Sequence, residues 1–249
     1  MLQEFLLRAV LREIRALPAY PRLRVLDLSC GRGALLAALA ADGCTTRGTH
    51  FRADDYKLAE ENEPIHTADL EIDDGVDLTR ALPYADASFD VVVLKEVVEH
   101  LPDWMPVIRE AGRVLRPGGH LVLSTPNIAR LHSRLHFLLS GSHKLIRRRV
   151  GWDLTADELY AYHINPVDFP LLHTVLHQAG LTVTRLAFTR FKPRHAWLLL
   201  LYPLVWLSSQ LEFRARRAGE RNLRRWMLHP AMLASEQLLL VGQVPRITT

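Results

Sequence analysis

Residues 22–33 read Arg22-Leu23-Arg24-Val25-Leu26-Asp27-Leu28-Ser29-Cys30-Gly31-Arg32-Gly33 and run directly into the helix-forming stretch 34–41, ALLAALAA. A short apolar strand, a glycine turn and a helix in that order open a parallel α/β sheet, and the glycines let the backbone approach a ligand at the helix N-terminus. What the stretch lacks narrows the ligand. A dinucleotide fingerprint needs a third small residue three positions after the second glycine, where this chain has Leu36, and a phosphate-binding loop needs Gly-Lys-Ser/Thr, which is absent. Asp27 argues in the same direction, because a carboxylate beside the turn repels pyrophosphate and suits a cationic ligand.

Outward from this unit, the pattern predicts a strand at 45–51, a polar helix around 56–63 and a short strand at 76–78. Residues 89–94, FDVVVL, form the most apolar strand and are expected to be central and buried. A helical run from Glu96 follows, then a helix over 104–115 stopped by Arg116-Pro117-Gly118-Gly119, and a strand at 120–124. The second half offers helices at 128–139 and 167–179, a strand at 181–188, an apolar and basic helical stretch over 196–217 and a last strand at 236–244. This alternation predicts a doubly wound, Rossmann-like, mostly parallel seven-stranded sheet with helices on both faces and helical insertions in the C-terminal half. Ligands of such sheets bind at the carboxyl ends of the strands, beside the first one.

The composition agrees with a folded domain: of 249 residues, 49% are hydrophobic and 23% charged, a balance that excludes disorder and fibrous repeats. Two cysteines, Cys30 and Cys44, are too few for a disulfide framework, and a reducing cytoplasm is the expected setting. The net charge of +4 conceals an asymmetry: residues 1–125 carry 14 Lys and Arg against 20 Asp and Glu, whereas residues 126–249 carry 17 against 7. The basic half is expected to face something anionic, or simply water. Residues 1–17 space apolar side chains as an amphipathic helix rather than a signal peptide. The longest apolar run, residues 196–207, has 12 residues and contains Pro203, whereas crossing a bilayer takes about 20.

Five pieces of the chain, in order, resemble the signature of class I S-adenosylmethionine (SAM) dependent methyltransferases. They are Val25-Leu26-Asp27-Leu28-Ser29-Cys30-Gly31-Arg32-Gly33; Asp77-Leu78 before Leu82-Pro83-Tyr84-Ala85-Asp86-Ala87-Ser88-Phe89-Asp90; Glu96-Val97-Val98-Glu99-His100-Leu101; Val114-Leu115-Arg116-Pro117-Gly118-Gly119; and Ser124-Thr125-Pro126-Asn127. The layout is similar to that of the ubiquinone-biosynthesis O-methyltransferases. The resemblance implies a SAM-binding methyltransferase domain over residues 22–190, preceded by an N-terminal amphipathic helix over 1–21. An apolar and basic helical insertion over 191–235 and a final strand and tail over 236–249 would follow. It also implies that Asp27 and the backbone of Ser29, Gly31 and Gly33 hold the methionine end of the cofactor. Asp77 and Leu78 would contact adenine, with Asp69 a weaker candidate, and Lys95 and Glu96 would lie at the cofactor's edge. The family usually ends its second strand in an acid that grips the ribose hydroxyls, whereas this chain reads Gly48-Thr49-His50-Phe51. Either His50 makes one bond to the ribose, or it packs and Asp54 or Asp55 reaches the sugar.

A sulfonium methyl is already activated, so alignment is the enzyme's main task, and an oxygen acceptor must also lose its proton to a base or a metal. Glu96, Glu99 and His100 would share a face if residues 96–100 were helical, and two carboxylates and an imidazole suit a divalent metal. Glu-x-x-Glu-His is similar to the metal-binding motif of ubiquinone-biosynthesis and small-RNA 2′-O-methyltransferases, and His163 falls where a further active-site histidine lies in related sequences. The same residues also serve many family members in capping and packing without a metal. The pairs His132/His136 and His173/His177 have helical spacing but no third ligand in view.

Beyond the fifth strand, apolar Leu131, Leu135, Phe137 and Leu138 alternate with Arg130, Arg134, Lys144 and Arg147 to Arg149, and the same composition returns in residues 197–225. Such stretches can lie on an anionic membrane surface, at the inner face of a membrane, or form the core of an enlarged substrate domain or a dimer interface. The reading is a SAM-dependent methyltransferase acting on oxygen of a small-molecule or lipid-linked acceptor. A non-catalytic binding or regulatory protein of the same fold is the alternative. A nucleic-acid methyltransferase is less favoured, since no RNA-binding module or aromatic stacking strip is in view.

Overall fold

The computed structural model describes residues 2–52, 64–143, 163–212 and 218–246. Helix α1 (Leu2–Arg15) leads into β1 (Arg24–Asp27), α2 (Ala34–Ala41), β2 (Thr45–Thr49), the two-residue β3 (Ile72–Asp73) and β4 (Phe89–Lys95). Then come α3 (Met105–Val114), β5 (Leu115–Pro126), α4 (Leu131–Ser140), α5 (Phe169–Gln178) and β6 (Thr182–Ala187). A 3-10 segment (Pro193–Leu201), α6 (Tyr202–Glu212), α7 (Ala218–Met227), α8 (Pro230–Ala234) and β7 (Gln237–Gln243) complete the described chain.

The seven strands form one sheet in the order β3-β2-β1-β4-β5-β7-β6. β1 pairs in parallel with both β2 and β4, and β7 enters antiparallel between β5 and β6. Side chains alternate across a strand, and the run FDVVVL obeys this on both faces. Val91 and Val93 pack with Leu6, Val10 and Ile14 of α1 and Leu35 and Leu39 of α2, whereas Val92 and Leu94 pack with α3 and α5 on the opposite face. A strand covered on both faces reads as uninterrupted apolar sequence, which is why this one is central.

Two local expectations are corrected. The third strand is Ile72–Asp73, not 76–78, because Gly48 and Thr49 of β2 pair with Ile72 and Asp73, and Arg47 grips the Asp73 carboxylate through Nε at 2.6 Å and Nη2 at 2.7 Å. The run after Glu96 is not an α-helix but one 3-10 turn, Val98–His100. Glu96 precedes that turn with φ +56°, outside helical conformation. The helix expected at 56–63 and the Arg147 to Arg149 cluster lie outside the described residues.

The switch from β5 to the helical half is held by Asn127, which is buried. Its Nδ2 donates to the carbonyls of Met232 (2.8 Å) and Ser235 (3.1 Å), and its Oδ1 accepts from the amide of Ala129 (3.0 Å). One side chain thereby ties the end of β5 to α8 and to the start of β7. Replacing it leaves buried carbonyls without a donor. Asn127→Ala is expected to lower unfolding free energy by about 2–4 kcal/mol in urea titration, with an unchanged m-value.

Candidate active site

The carboxyl ends of β1 and β4 adjoin, with Asp27 registered against Val93. Asp27 is 1% exposed, and neither carboxylate oxygen has a hydrogen-bond partner among the described residues. Burial pushes its pKa from 3.8 up to about 7, and the positive charge of Lys95, at the end of β4, partly offsets the effect. A buried carboxylate left without donors costs free energy unless a ligand satisfies it, which makes this residue a candidate binding position.

The turn beyond β1 is bent by left-handed residues: Ser29 (φ +63°), Gly31 (φ +55°) and Gly33 (φ +77°). The Ser29 amide donates to Thr49 Oγ1 at 3.0 Å and the Cys30 amide to the Thr49 carbonyl at 3.1 Å, so β2 clamps the turn. Gly33 has a second constraint: a Cβ there would stand 2.7 Å from Leu70 Cδ1, in the segment that crosses the turn. The His66 amide fastens that segment by donating to the Arg32 carbonyl at 2.9 Å.

His50 is 3% exposed, with Nε2 donating to the Gly31 carbonyl at 2.8 Å and Nδ1 3.4 Å from Asp74 Oδ1. Both ring nitrogens are engaged within the protein, so this side chain braces the glycine turn instead of extending to a ribose. Asp54 and Asp55 lie outside the described residues. The expected adenine pair also has partners within the protein. Asp77 Oδ1 accepts from the Thr79 amide (2.9 Å) and hydroxyl (2.7 Å), Oδ2 meets Arg80 Nε at 3.1 Å, and Leu78 is buried among Val76, Leu82 and Phe89. Asp69 closes a 3-10 turn, Thr67–Asp69, on the segment over Gly33.

The second group lies just past the end of β4. Glu99 is wholly buried; Thr125 Oγ1 donates to its Oε2 at 2.9 Å, and its Oε1 has no hydrogen-bond partner. Burial, reinforced by the charge of Glu96, holds the Glu99 carboxyl well above the ordinary range. Its backbone carbonyl accepts from the amides of Ile164 (2.9 Å) and Asn165 (3.0 Å), while Asn165 Nδ2 donates to the carbonyls of Leu101 and, at 3.1 Å, Pro102. This strap brings His163 against His100, edge to face with centroids 4.8 Å apart. Ligand-capable atoms of Glu99, His100 and His163 all lie within 4.8 Å of one another. Glu96 falls outside that trio: its amide donates to Ser124 Oγ at 3.2 Å and its Oε1 accepts from the same hydroxyl at 3.1 Å. The carboxylate, two imidazoles and unused Oε1 fit a borderline divalent metal better than the predicted set of Glu96, Glu99 and His100.

The supports from Ser124, Thr125 and Asn165 are what sequence reading misses, since each depends on neighbours remote in the chain. The other histidine pairs remain apart from this site: His173 tilts against Phe169, and His132 stacks on His195 with centroids 4.0 Å apart.

Residues 26–123 match the family described as "Methyltransferase domain". The chain is 33% identical over 169 residues to the ubiquinone biosynthesis O-methyltransferase of Vibrio cholerae, covering 64% of this chain and 63% of that one. It is 42% identical over 106 residues to the 27-O-demethylrifamycin SV methyltransferase of Amycolatopsis mediterranei, covering 40% and 37%. The chain therefore spans less than two thirds of the length of these curated relatives. A SAM-dependent methyltransferase structure from Archaeoglobus fulgidus aligns over 97% of this chain and 94% of its own, with TM-score 0.56 and 17% identity. The [4+2]-cyclase SpnF aligns over 96% and 81%, with TM-score 0.51 and 18% identity, so this fold by itself does not specify the reaction. Sheet order, glycine turn and family match together liken residues 26–123 to a class I SAM-dependent methyltransferase domain. SAM is the cofactor of that family, and its cationic methionine end suits the unsatisfied Asp27.

The Asp27 shift sets the pH dependence. The carboxylate must ionise to pair with a cation, and the folded group ionises near pH 7. SAM affinity measured by calorimetry is expected to rise up to tenfold per pH unit below about 7 and level off above it. Asp27→Asn should bind weakly with a flat profile. In the free protein the sign is opposite: because the folded pKa exceeds the unfolded one, stability falls as pH climbs from about 4 through 7.

Proposed function

We propose that this protein is a methyltransferase that methylates an oxygen of a small or lipid-linked acceptor. The carrying observation is a pair of buried carboxylates with unsatisfied oxygens, one at the end of β1 and one in the turn that follows the adjacent β4. Asp27 stands at the cofactor turn, Glu99 stands in a cluster with two imidazoles, and the Lys95 charge acts on both. The oxygen preference is supported by the names of the two relatives, both of which denote methyl transfer to oxygen.

Bound SAM supplies a methyl group already activated on sulfonium. Asp27 binds the cationic methionine end, the left-handed turn from Ser29 to Gly33 lets the backbone come close, and Lys95 keeps the charge of Asp27 tolerable in a dry site. On the acceptor side, Thr125 fixes one oxygen of Glu99 and leaves the other to take a hydroxyl proton or a ligand. A divalent metal held by Glu99, His100 and His163 would supply Lewis acidity toward that hydroxyl. Ile164 and Asn165 hold the second imidazole in place through the Glu99 carbonyl.

With catechol-type phenols as probe acceptors, mass spectrometry should show one added methyl group per acceptor and release of S-adenosylhomocysteine. Glu99→Gln is expected to lower kcat by 10²-fold or more while leaving SAM affinity within about twofold. Divalent metal bound per chain, measured by elemental analysis, should fall in His163→Ala. SAM binding without turnover on any oxygen acceptor would favour a non-catalytic role, and lack of SAM binding would sink both.

A further inference from the structure

Residues 196–211 contain no Asp, Glu, Lys or Arg. The 3-10 segment and α6 that they form turn Leu198, Leu201 and Val205 inward onto Leu131 and Leu233. The outward side is not polar. Leu200, Leu204, Leu207 and Leu211, spaced four, three and four residues apart, make an exposed stripe along one helical face, flanked by exposed Trp197 and Trp206. Leu200 is 81% exposed and Leu204 65%. A contiguous apolar stripe of this kind on a water-soluble fold marks an interaction surface. The 3-10 segment also packs on α4, whose C-terminal end exposes Leu138 and Leu139.

The charge around the stripe identifies its partner. It is preceded by Arg194, next to Arg190 and Lys192, which pair with Glu236, and followed in the sequence by residues 212–225, with six arginines and two glutamates. Arg224 Nη1 donates to Gln210 Oε1 at 2.7 Å, which ties basic α7 to the side of α6, and Arg225 is exposed. A second copy docking here would oppose two cationic surfaces. An anionic bilayer complements both parts, with leucines in the acyl boundary, tryptophans at headgroup depth and arginines on lipid phosphates. Helix α6 has 11 residues, and no helix among the described residues is long and apolar enough to cross a membrane, so the element lies in the plane.

We propose that the outward face of residues 197–211 is an interfacial docking surface for an anionic phospholipid bilayer. It does not depend on the methyl-transfer reading, because none of its residues belongs to the Asp27 or Glu99 groups. The full chain is expected to sediment with vesicles of phosphatidylcholine mixed with phosphatidylglycerol at low salt, to bind phosphatidylcholine alone far more weakly, and to be released by raised salt. The double variant Leu204→Glu/Leu207→Glu, altered at exposed positions, should lose about tenfold or more of the vesicle partition coefficient. Its Tm and SAM affinity should stay at the parental values. Failure of the parental protein to bind anionic vesicles at low salt overturns the proposal. So does a concentration-dependent dimer in light scattering that the double variant abolishes, which would assign the face to a second copy.

Discussion

Much of the molecule is arranged around a carboxylate that the folded chain leaves without a donor. Asp27 sits at the end of β1 where water is excluded, and among the described residues its compensation is the charge of Lys95 from the adjacent strand. The surrounding apolar packing is what makes this position dry: β1 and β4 are covered by helices on both faces. The site is thus stabilised by the bulk of the fold and destabilised at its centre, the usual relation between scaffold and binding position. The turn beyond it is over-determined for the same reason, clamped by Thr49, braced by His50 and crossed by the segment bearing His66 and Leu70.

The fold was largely legible in the chain because its strongest signals are local. The apolar β4 run, the Asp27 to Gly33 turn and the Pro117-Gly118-Gly119 stop each carry their structure in a few consecutive residues. The third strand was misplaced because it has two residues and no apolar signature; pairing with β2 and the Arg47–Asp73 bridge select it, and both are tertiary. The turn at Val98–His100 was misread as helix because Glu-x-x-Glu-His satisfies helical spacing, whereas the Ser124 hydroxyl holds Glu96 in a left-handed conformation before the turn begins. Site residues were legible in kind and less so in grouping. Asp27 and Glu99 are buried beyond adjacent strands, but His163 and not Glu96 groups with Glu99 and His100, and His50 points into the turn.

The charge asymmetry acquires a physical meaning from the placement of elements. The acidic half builds the strands that surround a cationic ligand, and the basic half contributes the helices that follow β5 together with the two strands at the far edge of the sheet. On the proposed readings, the charge of Asp27 acts on its ligand within a few ångströms in a dry site, whereas that of the arginines in the basic half acts on an anionic surface across a Debye length and weakens with salt.

The strap from Ile164 and Asn165 to the Glu99 carbonyl has a mechanical corollary. The residues that follow His163 anchor through two backbone bonds and one amide side chain on residues 99–102, the same short turn that carries Glu99 and His100. One turn thus sets the position of the carboxylate and couples the two imidazoles. A substitution at Asn165 reaches the geometry of the whole cluster without altering any of its three ligand-capable side chains.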